Sequence, residues 1–408
     1  MLIAALALCT GFAPAVATAQ ATTPDVLVVG GTPAGVAAAV AAARRGETVE
    51  LVARRAQLGG VLTDAMMDQW DLNLGRGGAA IEAGIFREMY ARLGDSFTPA
   101  QAARAFDEIV AREPRIHVVA DAVPIAARTA RRNGTESVTS VTFRDVRNGR
   151  RFAARASYTI DATDDGDVAA LAGARYDIGR QDTGRDERMQ PVTLMFTVTG
   201  VNWPRLLASY DPLRDGLGGV TARRAWGYAN VLRDYRPSAP YIAVSDLNFG
   251  HEDGGSVTVN AIDVQGVDGV DEAALLRAKL AGEREAPRLV AWLNGRVPGL
   301  EYARLGRFAD QMYVRETRHF VGVEWLSADN VWDGSIPSDT IGLSSYPIDL
   351  HEVMMGDKPA YAPVRHVYGV PFGSLVPRGF ANLILAGPAI SASHLASGSA
   401  RVIPTTIE

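Results

Sequence analysis

Six residues, Gly30-Gly31-Thr32-Pro33-Ala34-Gly35, stand between the apolar run Val26-Leu27-Val28-Val29 and the alanine-rich stretch Val36 to Arg45. That order predicts a strand, a tight glycine turn and a helix, the opening of a βαβ unit of the dinucleotide-binding kind. Glycine is needed because a Cβ would block both the sharp bend and the close approach of backbone to a pyrophosphate. The phosphate charge would then rest on unpaired N–H groups at the positive end of the helix dipole. Thr32 takes the place of the second glycine in G-x-G-x-x-G. A second strand, Thr48 to Val52, follows at the distance that completes the unit.

A length of 408 residues suits two domains, or one large domain with an insertion. The hydrophobic fraction of 47% and net charge of −5 describe an ordinary globular chain. The arginine pairs at 44–45, 54–55, 131–132, 150–151 and 223–224 are scattered, which excludes a nucleic-acid footprint. Leu2 to Val16 is apolar and uncharged, and Ala17-Thr18-Ala19 supplies an A-x-A pattern before Gln20. A signal peptide over residues 1–19, without the positive n-region, and export to the periplasm or medium are the expectation. Gly11 and Pro14 interrupt the run, which is too short for a stable membrane span. Cleavage would remove Cys9, the single cysteine, and with it any disulfide, thiolate metal ligand or redox cysteine.

Gly59-Gly60 after the second strand marks a loop whose backbone can crowd a ligand. Ala100 to Arg112 has helical amphipathicity, and Ile116-His117-Val118-Val119 reads as a further strand. Ala122 to Thr129, Ser137 to Val146 and Phe152 to Tyr158, separated by Asn133-Gly134 and Asn148-Gly149, predict a three-stranded meander. From Tyr176 to Pro371 the βα alternation lapses, which predicts a second, mixed α+β domain. Leu383-Ile384-Leu385-Ala386 returns to a strand ended by Gly387. The expected organisation is a split Rossmann-like α/β domain, 24–175 with 376–408, carrying an inserted α+β substrate domain at 176–375.

Three further segments strengthen the glycine signal. They are Asp161-Ala162-Thr163-Asp164-Asp165-Gly166-Asp167 after the strand at Thr159-Ile160, Arg315-Glu316-Thr317-Arg318, and Ser391-Ala392-Ser393-His394 running through Gly398-Ser399-Ala400-Arg401. Together with Leu58-Gly59-Gly60 and the stretch Asp182-Thr183-Gly184 to Met189-Gln190, they resemble the bacterial FAD-dependent oxidoreductases of the glutathione-reductase-like flavoprotein superfamily. That family carries D-A-T-x-D-G-D, R-E-[ST]-R and S-x-x-H-x-x-x-G-S-x-R motifs, and the resemblance covers residues 25–408. It implies FAD, a small-molecule substrate and a separate electron acceptor. Gly30, Gly31, Ala34 and Gly35 would cradle the pyrophosphate. Arg54 and Arg55 would lie beside the adenosine, with the backbone around Val123 at the adenine end. Gly59 and Gly60 would line the approach to the flavin, Ala162, Thr163 and Asp167 would close over the cofactor, and Gly387 would approach the ribityl phosphate.

Two departures from the family pattern stand out. The acidic residue that usually ends the second strand and binds both ribose hydroxyls is replaced by Ala53, with Arg54 and Arg55 behind it. An arginine there would also suit the 2′-phosphate of NADP. Family members continue beyond the Pro-Thr segment into a glycine-alanine helix that supports the flavin, so the expectation is a fragment or an incomplete flavin site.

Flavoenzyme chemistry belongs largely to the cofactor, while the protein orients a substrate and supplies a base, an acid or a charge. His394, among small residues beyond the last strand, is the candidate base, since a neutral imidazole accepts a proton near neutral pH. Arg401 is a candidate for binding a substrate carboxylate or the reduced flavin's charge, or is a structural ion-pair partner. Read as a strand, residues 315–318 turn Glu316 away from Arg315, and at least one of these arginines is expected to be structural. The aspartates at 161, 164, 165 and 167 lack a nearby histidine and read as a cofactor-closing turn rather than a metal site. No G-x-S-x-G elbow accompanies the serines at 391, 393, 397 and 399. The expected activity is dehydrogenation of a small organic substrate by hydride transfer to flavin N5. The alternatives are an NADP-linked or non-redox flavoenzyme, or a binding protein that keeps the fold without catalysis.

Overall fold

β1 (Val26–Val29) is buried on both faces, as an uninterrupted Val/Leu run requires of a central parallel strand. The computed structural model describes residues 23–408 except 216, 217, 253, 254, 355, 358 and 359, so the segment read as a signal peptide, with Cys9, lies outside the described residues. α1 (Pro33–Arg44) starts on Thr32, whose Oγ1 accepts the Gly35 N–H at 3.0 Å. Pro33 takes the first helical position, where no N–H is needed. β2 (Val49–Val52) pairs parallel with β1, Val26 opposite Val49 and Val29 opposite Val52. α2 (Gly84–Leu93) and α3 (Pro99–Ala111) follow. The start of α3 is fixed by a capping box: the Gln101 N–H donates to Thr98 Oγ1 at 3.1 Å and the Thr98 N–H to Gln101 Oε1 at 2.8 Å. β3 (Ile116–Val119) extends the sheet beyond β2.

The meander consists of β4 (Ala122–Arg132), β5 (Thr135–Asp145) and β6 (Arg151–Ala154). Asn133 and Gly134 hold φ of 52° and 84°, the pair of left-handed residues that a two-residue hairpin turn demands. The third strand stops at Ala154, short of the expected Tyr158. The Tyr158 N–H instead donates to Asp25 O at 3.1 Å and opens β7 (Tyr158–Asp161), parallel to β1. α4 (Asp167–Leu171) and β8 (Tyr176–Ile178) come next.

An antiparallel sheet then takes over. Its strands are β9 (Val192–Thr199), β10 (Gly219–Val220), β11 (Arg224–Gly227), β12 (Ile242–Ala243), β13 (Leu247–His251), β14 (Val257–Val264) and β15 (Arg304–Phe308). The order is β10-β11-β13-β14-β9-β15, with β12 on β14. Three short helices, α5 (Trp203–Ser209), α6 (Pro212–Asp215) and α7 (Ala229–Leu232), decorate it, and α8 (Glu272–Asn294) packs along it. α8 buries Ala278, Ala281, Gly282, Ala286, Leu289 and Leu293. Its approach is so close that a Cβ on Gly282 would stand 2.8 Å from the Leu194 side chain.

β16 (Arg318–Phe320) pairs with β8 and leads to α9 (Ala328–Asp333). β17 (Thr340–Ser344) pairs with β20 (Tyr368–Pro371), and β18 (Ile348–Leu350) with β19 (Ala360–Ala362). β21 (Leu383–Leu385) returns to the parallel sheet, completing the order β21-β7-β1-β2-β3. α10 (His394–Ala400) and α11 (Ile403–Ile407) end the described chain. Val26, Val28 and Leu51 join the core with Trp70, Phe97 and Phe106. Leu27, Val29 and Val52 share a second core with Phe143, Phe320 and Tyr368. The result is a Rossmann-like α/β fold with an additional α+β domain built on the antiparallel sheet. Among the described residues, no helix is long and apolar enough to cross a membrane.

Candidate functional site

The glycines of the first turn are dictated by backbone crowding. Gly30 holds φ +125°, and a Cβ on it would stand 2.0 Å from the Ala162 carbonyl oxygen. A Cβ on Gly35 would stand 2.0 Å from the Gly30 carbonyl oxygen, and one on Gly31 2.8 Å from the Ala53 Cβ. Thr32 fills the second glycine's place because its side chain is used twice. Its Oγ1 caps α1 and donates to Ala162 O at 3.0 Å, tying the helix start to the β7 turn. Among the described residues, the N–H groups of Gly31 and Thr32 donate no hydrogen bond. They sit at the N-terminus of a 12-residue helix, where orphan donors and dipole together favour an anion.

A cavity of about 630 Å³ passes this turn, a size ordinary for a ligand site. Gly30, Gly31, Arg54, Arg55, Gly60, Val123, Thr163 and Asp167 line it, joined by Arg144, Lys279, Glu316 and His319. Gly35, Gly59 and Ala162 are buried in the packing behind that lining. Ala34 and Gly387 line a second, apolar cavity of about 730 Å³ beside α1. Ala53 is 1% exposed and packed on the glycine turn, so no carboxylate reaches the ribose from this position. Arg54 pairs with Glu272 of α8 at 2.6 Å, and Arg55 with Asp310 at 3.1 Å and Asp64 at 3.6 Å. Both arginines are thus already bound to carboxylates at the cavity mouth.

The acidic turn divides by role. Asp161 accepts the Thr163 hydroxyl at 2.7 Å and the Ala169 N–H at 2.7 Å, closing the turn, and burial pushes it up to about 6. Asp165 accepts the Thr317 hydroxyl at 2.9 Å, and burial, then Asp167 and Asp164, push it up to about 8. Asp167 pairs with Arg318 at 2.9 Å. Asp164, held at φ +61°, takes no hydrogen bond among the described residues, and burial pushes it up to about 7. Near neutral pH these carboxyls therefore present less negative charge to a pyrophosphate than their number implies. Among the described residues, no group of three or more His, Cys, Asp or Glu is placed to hold a metal ion.

The R-E-T-R segment departs from the expected alternation, because β16 begins only at Arg318 and residues 315–317 follow no strand ladder. Arg315 pairs with Asp263 at 3.4 Å and donates to Pro191 O at 2.9 Å, while Arg318 holds Asp167, so both arginines are structural ion-pair members. Glu316 meets two imidazoles. Its Oε1 lies 2.6 Å from His394 Nδ1 and 2.8 Å from His319 Nε2, and its Oε2 accepts the Gln190 N–H at 2.9 Å. All three side chains are buried: Glu316 is 4%, His319 2% and His394 6% exposed. Burial alone would raise the Glu316 carboxyl, but hydrogen bonds from His319 and His394 outweigh it and hold the group down at about 2. An ionised carboxylate only accepts, so each imidazole donates to it. In the neutral rings, His394 Nε2 and His319 Nδ1 are then the acceptor nitrogens.

His394 is the first residue of α10, whose cap is Ser393, and its own N–H donates to Asp182 at 3.1 Å. Arg401 is buried and donates to the Tyr313 hydroxyl at 2.8 Å and to Asp349 Oδ2 at 3.3 Å. Of the roles open to it, this geometry fills that of ion-pair partner. His319, the imidazole partners of Glu316 and the double use of Thr32 escape sequence reading. Glu316 and His394 lie 78 positions apart, and only the joint presence of the R-E-T-R and S-x-x-H motifs could have linked them.

A family model described as FAD dependent oxidoreductase matches residues 25–408. Among solved structures, the chain is similar to a geranylgeranyl bacteriochlorophyll reductase-like protein of Thermoplasma acidophilum, with 14% identity, 94% of this chain and 75% of the other covered, and a TM-score of 0.45. It is similar to a myxobacterial chondrochloren halogenase at 16% identity, covering 73% of this chain and 65% of the other with a TM-score of 0.41. For p-nitrophenol 4-monooxygenase from Pseudomonas putida the values are 12%, 74%, 70% and 0.40. No curated protein matches the chain.

Proposed function

The chain belongs to the FAD dependent oxidoreductase family and is an FAD-using enzyme, and from that premise we propose that it dehydrogenates a small organic substrate. The observation that carries this reading is the buried His394–Glu316 pair, an imidazole whose Nδ1 is held on a carboxylate. Bound FAD supplies the hydride acceptor, at N5. The rest falls to the protein. The Gly31 and Thr32 N–H groups and the α1 dipole hold the pyrophosphate. Arg54, Arg55 and Val123 flank the adenosine. His394 Nε2 takes the proton that leaves a substrate O–H or N–H when the hydride leaves the adjacent carbon. Glu316 acts as a positioning residue, orienting the ring and stabilising the imidazolium that forms. Arg401 braces α10 against Asp349 and Tyr313. The inserted segment, read from sequence as 176–375, supplies the substrate face, and the strand order β21-β7-β1-β2-β3 supports a glutathione-reductase-like placement. Export after cleavage near Ala19 belongs to the same proposal and rests on the N-terminal sequence alone.

Anaerobic mixing with a panel of hydroxy and amino compounds tests the reaction. A substrate that bleaches the flavin without pyridine nucleotide is the expected result. Bleaching by NADPH or NADH alone, followed by substrate-dependent oxygen uptake, would instead mark a monooxygenase-type reaction.

A further inference from the structure

His319 is the one buried imidazole that the proposed reaction leaves unused. It lines the same cavity as the glycine turn, is 2% exposed, and its Nδ1 has no hydrogen-bond partner. The opposite ring nitrogen, Nε2, is bound to Glu316 Oε1 at 2.8 Å. Glu316 also holds His394 and the Gln190 N–H, so it is committed as an acceptor. His319 Nε2 therefore carries a proton toward Glu316, and in the neutral ring Nδ1 is the acceptor. A buried polar atom without a partner is costly, and this one belongs to a residue lining the cavity, where a ligand can supply the partner.

The position in the sheet tells which part of the ligand arrives there. Ala53 and Val123, at the adenosine end, belong to the β2 side of β1. His319 belongs to a segment fastened to the β7 turn, on the other side of β1, by the Thr317–Asp165 and Arg318–Asp167 contacts. The phosphates between carry no hydrogen-bond donor. Resting on the reading of this cavity as the FAD site, we propose that His319 Nδ1 accepts a hydrogen bond from the riboflavin half of FAD, with Glu316 locking the ring in the accepting tautomer. His319 is then a cofactor-binding residue, and the single carboxylate of Glu316 serves two imidazoles with different tasks.

Two substitutions separate this from a purely structural role. In His319→Gln the amide can still donate to Glu316 while the acceptor at the Nδ1 position is lost. In His319→Asn the carbonyl oxygen stands near the Nδ1 position while the bond to Glu316 is lost. The flavin-stripped protein is titrated with FAD and, separately, with ADP. The expected result is FAD affinity lowered roughly tenfold or more in His319→Gln, less in His319→Asn, with ADP affinity unchanged in both. The reverse ranking, parental FAD affinity in both variants, or parallel loss of ADP would overturn the proposal. The unsubstituted protein gives a second readout: the ¹⁵N resonance of His319 Nδ1 should be that of a bare nitrogen and should shift when FAD, but not ADP, is added. An Nδ1 resonance that ignores FAD would also overturn it. Failure of the parent protein to take up FAD would strike the cofactor site itself, a separate result.

Discussion

Gly35→Val abolishes FAD binding while leaving most of the fold in place. The Cβ would stand 2.0 Å from the Gly30 carbonyl oxygen and 3.1 Å from the Ala162 Cβ. Neither neighbour can give way, because Gly30 is bonded to Val52 O at 2.8 Å and Ala162 to Val29 O at 2.8 Å within the parallel sheet. α1 must therefore move outward, breaking its cap at Thr32 and carrying the Gly31 and Thr32 N–H groups off the pyrophosphate. Overpacking of this kind costs about 1–3 kcal/mol and loss of a cap about 1 kcal/mol. Against a total stability of roughly 5–15 kcal/mol, the protein survives but the anion site does not. Flavin absorbance of the purified variant, read beside its thermal melt, checks this. A cooperative melt with parental flavin content would show that the turn is misplaced.

His394→Ala lowers the rate of flavin reduction by substrate on the order of 10²-fold or more, the usual consequence of removing a general base. FAD content stays near parental, because the anion site lies on α1 and α10 contributes none of it. Glu316→Gln lowers the same rate across its pH profile, since the carboxylate that orients the His394 ring is gone. In the parent, Glu316 contributes no limb of its own: held at about 2 rather than 4.5, it is ionised throughout the working range. Its contribution to stability is correspondingly complete above about 4.5 and declines as pH falls from there to about 2. Anaerobic stopped-flow measurements on both variants decide the matter. An unchanged reduction rate in His394→Ala would make that histidine a packing residue.

The βαβ opening was legible because each signal was local. A continuous Val/Leu run, a Thr-Pro helix start and glycines at fixed spacing lie within 20 residues, and the structure uses each as the sequence implies. The Asn133-Gly134 hairpin was legible for the same reason. The antiparallel sheet was not, because β9 pairs with β14 and β15, strands far along the chain, and nothing in the sequence of β9 names its partners. Glu316 does avoid both arginines, but its actual partners, His319 and His394, were not legible because residues 315–317 are shaped by tertiary contacts rather than strand alternation. Ala53 was legible as a residue type, but the close approach of Gly31 to its Cβ needed coordinates.

The central claim is that the turn from Gly30 to Gly35 holds FAD, without a covalent bond. Acid precipitation of the purified protein, with mass analysis of the supernatant, tests it directly. The expected result is a yellow supernatant containing FAD over a colourless pellet. A colourless protein that refuses added FAD and binds NADP with micromolar affinity would contradict the account, and a pellet that keeps the chromophore would contradict its non-covalent part.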